Sequence, residues 1–257
     1  MKFTTLFVRD KYPDYYPKML AKSLLPFNVE VDCYTDNPRL PMEENLNYIL
    51  FNPALVPEVV RDAEQGWWYL MLFFNPEFTE EKEVWFVDVD VLFTAPPAQV
   101  FAWCQGFPNC TMAFQRAFFP DRMLAETSLF YLNHNSLIPE SLWNEFQETF
   151  NCTAQLKKAF GPQKFVRERV REFSNVPFFP DHFQVSVPHW FGYRVDSLYQ
   201  TGKRNVQSED SIVSFSFLGK ENPHWVAVQD DRAGKFFRDR FPWLVPMVEG
   251  KDNEKEP

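Results

Sequence analysis

Glu83-Val84-Trp85-Phe86-Val87-Asp88-Val89-Asp90-Val91-Leu92-Phe93 is an apolar run, rich in β-branched and aromatic residues, that carries two carboxylates two positions apart. Its composition predicts a strand buried on both faces, in a parallel sheet covered by helices. In open α/β sheets ligands bind beyond the carboxyl ends of the strands, and Asp88 and Asp90 lie toward that end. Residues at i and i+2 of a strand point to one face, so both carboxylates can reach one cation or its water shell. The spacing suits Mg²⁺ or Mn²⁺ holding a diphosphate. The bland alternative is a solvated strand end or turn entry. Against it stand the flanking Val-Trp-Phe-Val and Val-Leu-Phe, because a charged pair between such neighbours risks burial without compensation. A bound cation removes that penalty.

Upstream, Phe3 to Val8 alternates and is β-rich, and Asp14 to Leu25 places Tyr16, Met19, Leu20 and Leu24 at helical spacing. Val29 to Tyr34 then reads as a second strand, giving a β-α-β opening. Pro and Asn segments at 37–41 and 52–57 punctuate the chain before a helical stretch over Val59 to Phe74. Downstream, Met112 to Phe114, Ser128 to Leu132 and Ile212 to Phe217 read as strands. Ser141 to Phe150 and Gln163 to Phe173 read as helices, and 174–200 as irregular. This alternation predicts an α/β sheet of mostly parallel strands.

A chain of 257 residues is long enough for a substantial core, and 29 Phe make that core aromatic. Trp67, Trp68, Trp190 and Trp225 stand near polar candidates, where they either pack or line a sugar-sized groove. A net charge of −9 with no basic stripe argues against broad nucleic-acid or anionic-membrane binding. No apolar stretch has the length of a membrane span, and Met1-Lys2-Phe3 runs straight into a strand pattern, so the expected location is cytoplasmic. Cys33, Cys104, Cys110 and Cys152 have unrelated spacings that form no zinc motif, and reduced thiols are expected.

Taken in order, these pieces resemble a GT-A nucleotide-sugar glycosyltransferase, close to family 8 (glycogenin-like) and its uncharacterised bacterial and phage relatives. Leu6-Phe7-Val8-Arg9-Asp10-Lys11-Tyr12 resembles that family's first strand and nucleotide-contacting loop, and Cys33-Tyr34-Thr35-Asp36-Asn37-Pro38 its second strand end. Gly66-Trp67-Trp68 is similar to the helix before the D-x-D strand, and Asp88-Val89-Asp90 falls where the metal motif belongs. Glu126-Thr127-Ser128-Leu129-Phe130 resembles an Asn-Ser-Ser segment, Gly161-Pro162-Gln163 a Gly-Asp-Gln motif, and Phe217-Leu218-Gly219-Lys220-Glu221-Asn222-Pro223-His224 a closing Phe-His-Gly-Lys-x-x-Pro-His. The resemblance implies one GT-A-like α/β domain over 1–248, a mixed sheet flanked by helices. Its nucleotide-sugar half would span 1–100 and its acceptor half 101–248, with a charged mobile tail at 249–257.

The resemblance also implies transfer from a nucleotide-sugar, UDP-linked and with retention, to an unknown acceptor. Val8, Arg9, Asp10, Tyr12, Asp36 and Lys220 would bind the donor, Asp88, Asp90 and His224 the metal, and Glu126 and Gln163 the sugar or acceptor hydroxyl. The departures are informative. Leu218 replaces a metal-binding histidine, so either His224 or water takes that place; Pro162 replaces an acid, Leu70 a basic residue, and Glu126 an Asn. Glu126 can act as a general base or as a hydrogen-bonding group. Two rivals remain open: a GT-A module that binds or scaffolds without catalysis, and a D-x-D phosphatase with Asp88 as nucleophile. The second rival meets the difficulty that more than eighty residues precede its motif.

Overall fold

The β-α-β opening is present as expected. Strand β1 (Lys2–Phe7) leads to a helix, Tyr15–Leu24, that buries the Tyr16, Met19, Leu20 and Leu24 stripe, and β2 (Glu30–Thr35) returns parallel to β1. The computed structural model describes residues 1–8, 12–37, 40, 43–62, 66–107, 109–116, 125–159, 161–173, 176–191, 208–217 and 223–249.

Four more strands complete the main sheet: β3 (Leu46–Leu50), β4 (Glu83–Val87), and, after β5 (Val91–Phe93), β6 (Met112–Arg116) and β7 (Ala125–Asn133). The strand order is β3-β2-β1-β4-β7-β6. The first four are parallel, whereas β7 runs antiparallel to both β4 and β6, so the sheet is mixed, with β7 alone reversed among strands that otherwise share one direction. Pairing of β6 with β7 jumps from Phe114↔Phe130 to Gln115↔Glu126, which leaves Thr127 to Leu129 as extra residues on β7. β5 belongs to a smaller sheet with β8 (Gln184–Ser186) and β9 (Ser214–Ser216), in the order β5-β9-β8.

The run Glu83 to Phe93 is therefore two strands in two sheets, joined at the carboxylates. Val87 and Val89 are buried while Asp88 and Asp90 are half-buried, an alternation that keeps the charges out of the core. The joint is tied at both ends: Asp88 N–H donates to Ser128 O at 2.9 Å, and Phe217 N–H donates to Asp90 O at 3.3 Å.

Side-chain alternation divides the core between the faces of the main sheet. On one face Phe3, Val31, Val87 and Tyr131 pack with the helix Tyr15–Leu24, the helix Ala98–Gln105 and the helix Arg232–Arg240. On the other, Phe86, Phe114 and Phe130 pack with the helices Leu137–Thr149 and Pro162–Val170; Phe86 and Phe130 stack at 4.6 Å. The expected helix over Val59 to Phe74 is broken into a short turn of helix, Glu58–Arg61, and a 3₁₀ run, Gly66–Phe74. Apart from Trp67 every residue of that run is buried, so it has no solvent face to impose an amphipathic α-helical stripe. Within 174–200, expected to be irregular, β8 and the helix Val187–Phe191 are ordered elements.

Candidate functional site

The carboxyl ends of β1 and β4, the amino-terminal part of β7 and the start of the helix Pro162–Val170 enclose a cleft of about 720 Å³. Val8 and Tyr12 line it just beyond β1, Asp88 and Asp90 at the joint between the sheets, and Glu126 and Gln163 opposite. Residues far apart in the chain thus reach one space. Leu70 and Pro162, two of the departures noted above, line it too.

Gly161 holds φ 89° and ψ 168°, a conformation open essentially to glycine alone. It reverses the chain into Pro162, which starts the helix with its ring preset, so that Gln163 projects into the cleft. Gln163 Nε2 donates to Glu126 Oε2 at 2.5 Å. A carboxylate only accepts, so the amide nitrogen must face Glu126 and the amide oxygen is directed elsewhere. Glu126 Oε1 also accepts from Thr127 N–H at 3.2 Å, and Arg167 Nη2 lies 4.0 Å from Oε2. Arg167 is itself set by donating from Nε to Ala125 O at 3.3 Å.

Tyr12 stacks on Tyr16 with ring centroids 5.1 Å apart. Burial pushes the Tyr12 phenol far above its ordinary range, and the Asp90 and Asp88 charges push it further; burial does the same for Tyr16, with Tyr15 and Asp90 adding to it. Both phenols therefore stay protonated beside the acids. Asp36, at the end of β2, is exposed and stands outside the cleft wall. Arg9, Asp10, Leu218 and Lys220 lie outside the described residues, as does the tail beyond Glu249; His224 falls in the helix Pro223–Val228 with its side chain outside them. Trp67 lines the cleft at 44% exposure, whereas Trp68 is wholly buried against Phe146 and Trp190 donates to Glu209 at 3.2 Å. The Trp225 side chain is outside the described residues.

Two serines, Ser128 and Ser216, join the site although the sequence marked them only as parts of strands or of a longer motif. Ser128 Oγ donates to Gln184 Oε1 at 2.5 Å and Gln184 Nε2 donates back to Ser128 O at 3.4 Å, which pins the small sheet to the large one under the cleft. Ser216, on β9, lines the cleft at 1% exposure, and its hydroxyl has no hydrogen-bond partner among the described residues. The available signal was the polar alternation Ser214-Phe215-Ser216 in a strand with no solvent face.

No known family model matches the chain, and no curated protein matches its sequence. Solved structures do. The galactosyltransferase LgtC, in complex with donor and acceptor sugar analogues, aligns at a TM-score of 0.59 over 96% of each chain, with 13% identity. The fold is GT-A. Mouse xyloside xylosyltransferase 1 shares it at a TM-score of 0.59, with 10% identity over 86% of this chain and 98% of that one. The glycosyltransferase GlyE of Streptococcus pneumoniae TIGR4 shares it at 0.63, with 14% identity over 96% of this chain and 64% of its own. Identities this low carry the GT-A architecture and nothing finer.

On this GT-A scaffold the donor set suits a hard divalent cation. Asp88 and Asp90 present carboxylate oxygens to one cleft, and among the described residues no group of three His, Cys, Asp or Glu gathers around a point. Two carboxylates with water and diphosphate oxygens completing the shell is a combination that Mg²⁺ and Mn²⁺ accept. The Ser216 hydroxyl, buried beside the same cleft, has no hydrogen-bond partner among the described residues.

Proposed function

We propose that this protein transfers a glycosyl group from a nucleotide-sugar, UDP-linked, to a hydroxyl acceptor. The observation that carries the reading is that Asp88, Asp90, Glu126 and Gln163 line one cleft at the carboxyl ends of a GT-A sheet. Residues on either side of position 100 contribute to it, which supports a donor half and an acceptor half.

In the transfer the bond from the sugar's anomeric carbon to the diphosphate breaks, a bond to the acceptor oxygen forms, and the acceptor's proton passes to the departing diphosphate or to solvent. Asp88 and Asp90 would hold a divalent cation, Mn²⁺ or Mg²⁺, and such a cation would supply positive charge to the diphosphate leaving group. Tyr12, held against Tyr16, offers a protonated hydroxyl and a ring face to the nucleotide side, with Val8 closing the wall behind it. The Gln163 amide oxygen, turned away from Glu126, accepts from a sugar hydroxyl and fixes the ring's orientation. Glu126 holds Gln163 and is in turn engaged by Thr127 N–H, so its role is positioning. In this reading Arg9, Asp10 and Lys220 would bind the donor, and His224 or water would serve as metal ligand in place of the histidine that Leu218 replaces. The LgtC structures include a variant in which an active-site glutamine is replaced by glutamate, so in that protein a glutamine belongs to the active site.

The test is release of UDP from a panel of UDP-sugars with Mn²⁺, first without acceptor and then with saccharides. Release from one donor, accelerated by an acceptor, supports transfer. Nucleotide binding without turnover points to a binding module. Hydrolysis of simple phosphate esters with no sugar nucleotide present would revive the phosphatase, although the GT-A architecture and the position of Asp88 after the fourth strand already weigh against it.

A further inference from the structure

At the opposite end of the main sheet, where β1 and β4 begin, lies a second cleft of about 600 Å³, lined among others by Lys2, Glu83, Trp85 and Tyr131. Cys104 and Cys110 both face it. Cys104 sits in the last turn of the helix Ala98–Gln105. From there Phe107 N–H donates to Cys104 O at 3.0 Å and Cys110 N–H to Phe107 O at 3.1 Å, two successive turns, the second with Asn109 at φ 63°. These turns fold position 110 back beside position 104. Cys104 is 6% exposed and Cys110 is half-buried, its thiol directed to Met112 O at 3.6 Å.

We propose that Cys104 and Cys110 form a reversible dithiol–disulfide site that reacts with low-molecular-weight disulfides of the glutathione class. The Cys110 thiolate attacks one sulfur of the incoming disulfide, forms a mixed disulfide and expels one thiolate, which takes up a proton. Cys104 then gives up its proton and attacks the Cys110 sulfur, closing the internal disulfide and expelling the second thiol. Two protein thiols are oxidised and one small disulfide is reduced to two thiols.

The asymmetry follows from position. Cys110 is the more accessible thiol, and hydrogen bonding between the two groups lowers its pKa while raising that of Cys104, where burial adds to the rise. Glu83, which accepts from Tyr131 Oη at 3.0 Å, acts against the thiolate at both. The other cysteines are placed differently: Cys33 is buried within β2, and Cys152 is exposed at the start of the helix Thr153–Lys158. Because the turns already hold the segment closed, the linkage adds little loop-closure cost.

Cys104 and Cys110 fall in a single tryptic peptide between Lys82 and Arg116, so the test is direct. The folded protein is exposed to oxidised glutathione, denatured, alkylated with iodoacetamide and digested, and that peptide is weighed. The expected result is an unalkylated peptide lighter by two hydrogens, restored to two alkylatable thiols by dithiothreitol. Cys104→Ser should trap glutathione on Cys110, and Cys110→Ser should leave Cys104 unmodified. A wild-type peptide alkylated at both positions while Cys152 has reacted, or a lasting glutathione adduct on wild-type Cys110, would overturn the proposal.

Discussion

Gln163 and Glu126, thirty-seven residues apart, are joined by a hydrogen bond of 2.5 Å at the wall of the cleft. The bond fixes which end of the Gln163 amide is available to a ligand. Gln163→Ala is expected to slow turnover by roughly ten- to a hundredfold, the worth of one or two well-placed hydrogen bonds, while UDP affinity stays within about twofold. Steady-state kinetics beside calorimetric titration of UDP separates the two effects. Equal loss of turnover and affinity would move Gln163 to the nucleotide side.

Ser216 gives the opposite sign for stability and binding. A buried hydroxyl with no partner among the described residues is costly, so Ser216→Ala should leave stability unchanged or raise it by up to about 1 kcal/mol. Donor affinity should fall by about fivefold to tenfold if the hydroxyl meets the ligand. Thermal melts with and without UDP read both quantities.

Gly161 sets the approach of Gln163. A Cβ there would meet Trp67 Nε1 at 3.9 Å, ordinary contact, so Gly161→Ala is penalised by backbone strain and not by a clash. The expected cost is about 1–3 kcal/mol in urea unfolding, with turnover falling as in Gln163→Ala.

Both ring nitrogens of His134 are buried, and burial holds its pKa below the ordinary 6.5. As pH falls below that unfolded value, the unfolded chain takes up a proton that the folded one resists. Stability on this account is retained above 6.5 and lost progressively as pH falls toward the lower folded value. His134→Gln should flatten that part of the pH profile of the urea midpoint, and an unchanged slope would assign acid sensitivity to other groups.

Periodicity carried the helix Tyr15–Leu24, because a one-sided burial stripe leaves a 3.6-residue pattern, and it carried β1 and β2 for the analogous reason. The pattern misled at Glu83 to Phe93, where both strands are apolar and only the half-buried acids mark the change of sheet. β3 escaped because an edge strand with an exposed Leu50 has no clean alternation, and Gly66–Phe74 because a segment buried nearly all round has no period to show. In the cleft, Asp88 and Asp90 were legible from their own spacing. Glu126 and Gln163 were found through resemblance alone, since nothing local announces a contact across thirty-seven residues. Ser216 and the nearness of Cys104 to Cys110 needed the fold: the burial of a hydroxyl and the shared cleft of two thiols are properties of packing.

Asp88 and Asp90 are proposed to make this cleft a metal-assisted nucleotide-sugar site. Calorimetric titration with UDP and a panel of UDP-sugars, with and without Mn²⁺, tests it most directly when run on wild type and Asp90→Asn. The account expects binding that requires Mn²⁺ and is lost in Asp90→Asn while the melting temperature holds. Absence of nucleotide binding in the wild type, or binding indifferent to both Mn²⁺ and Asp90, would contradict it.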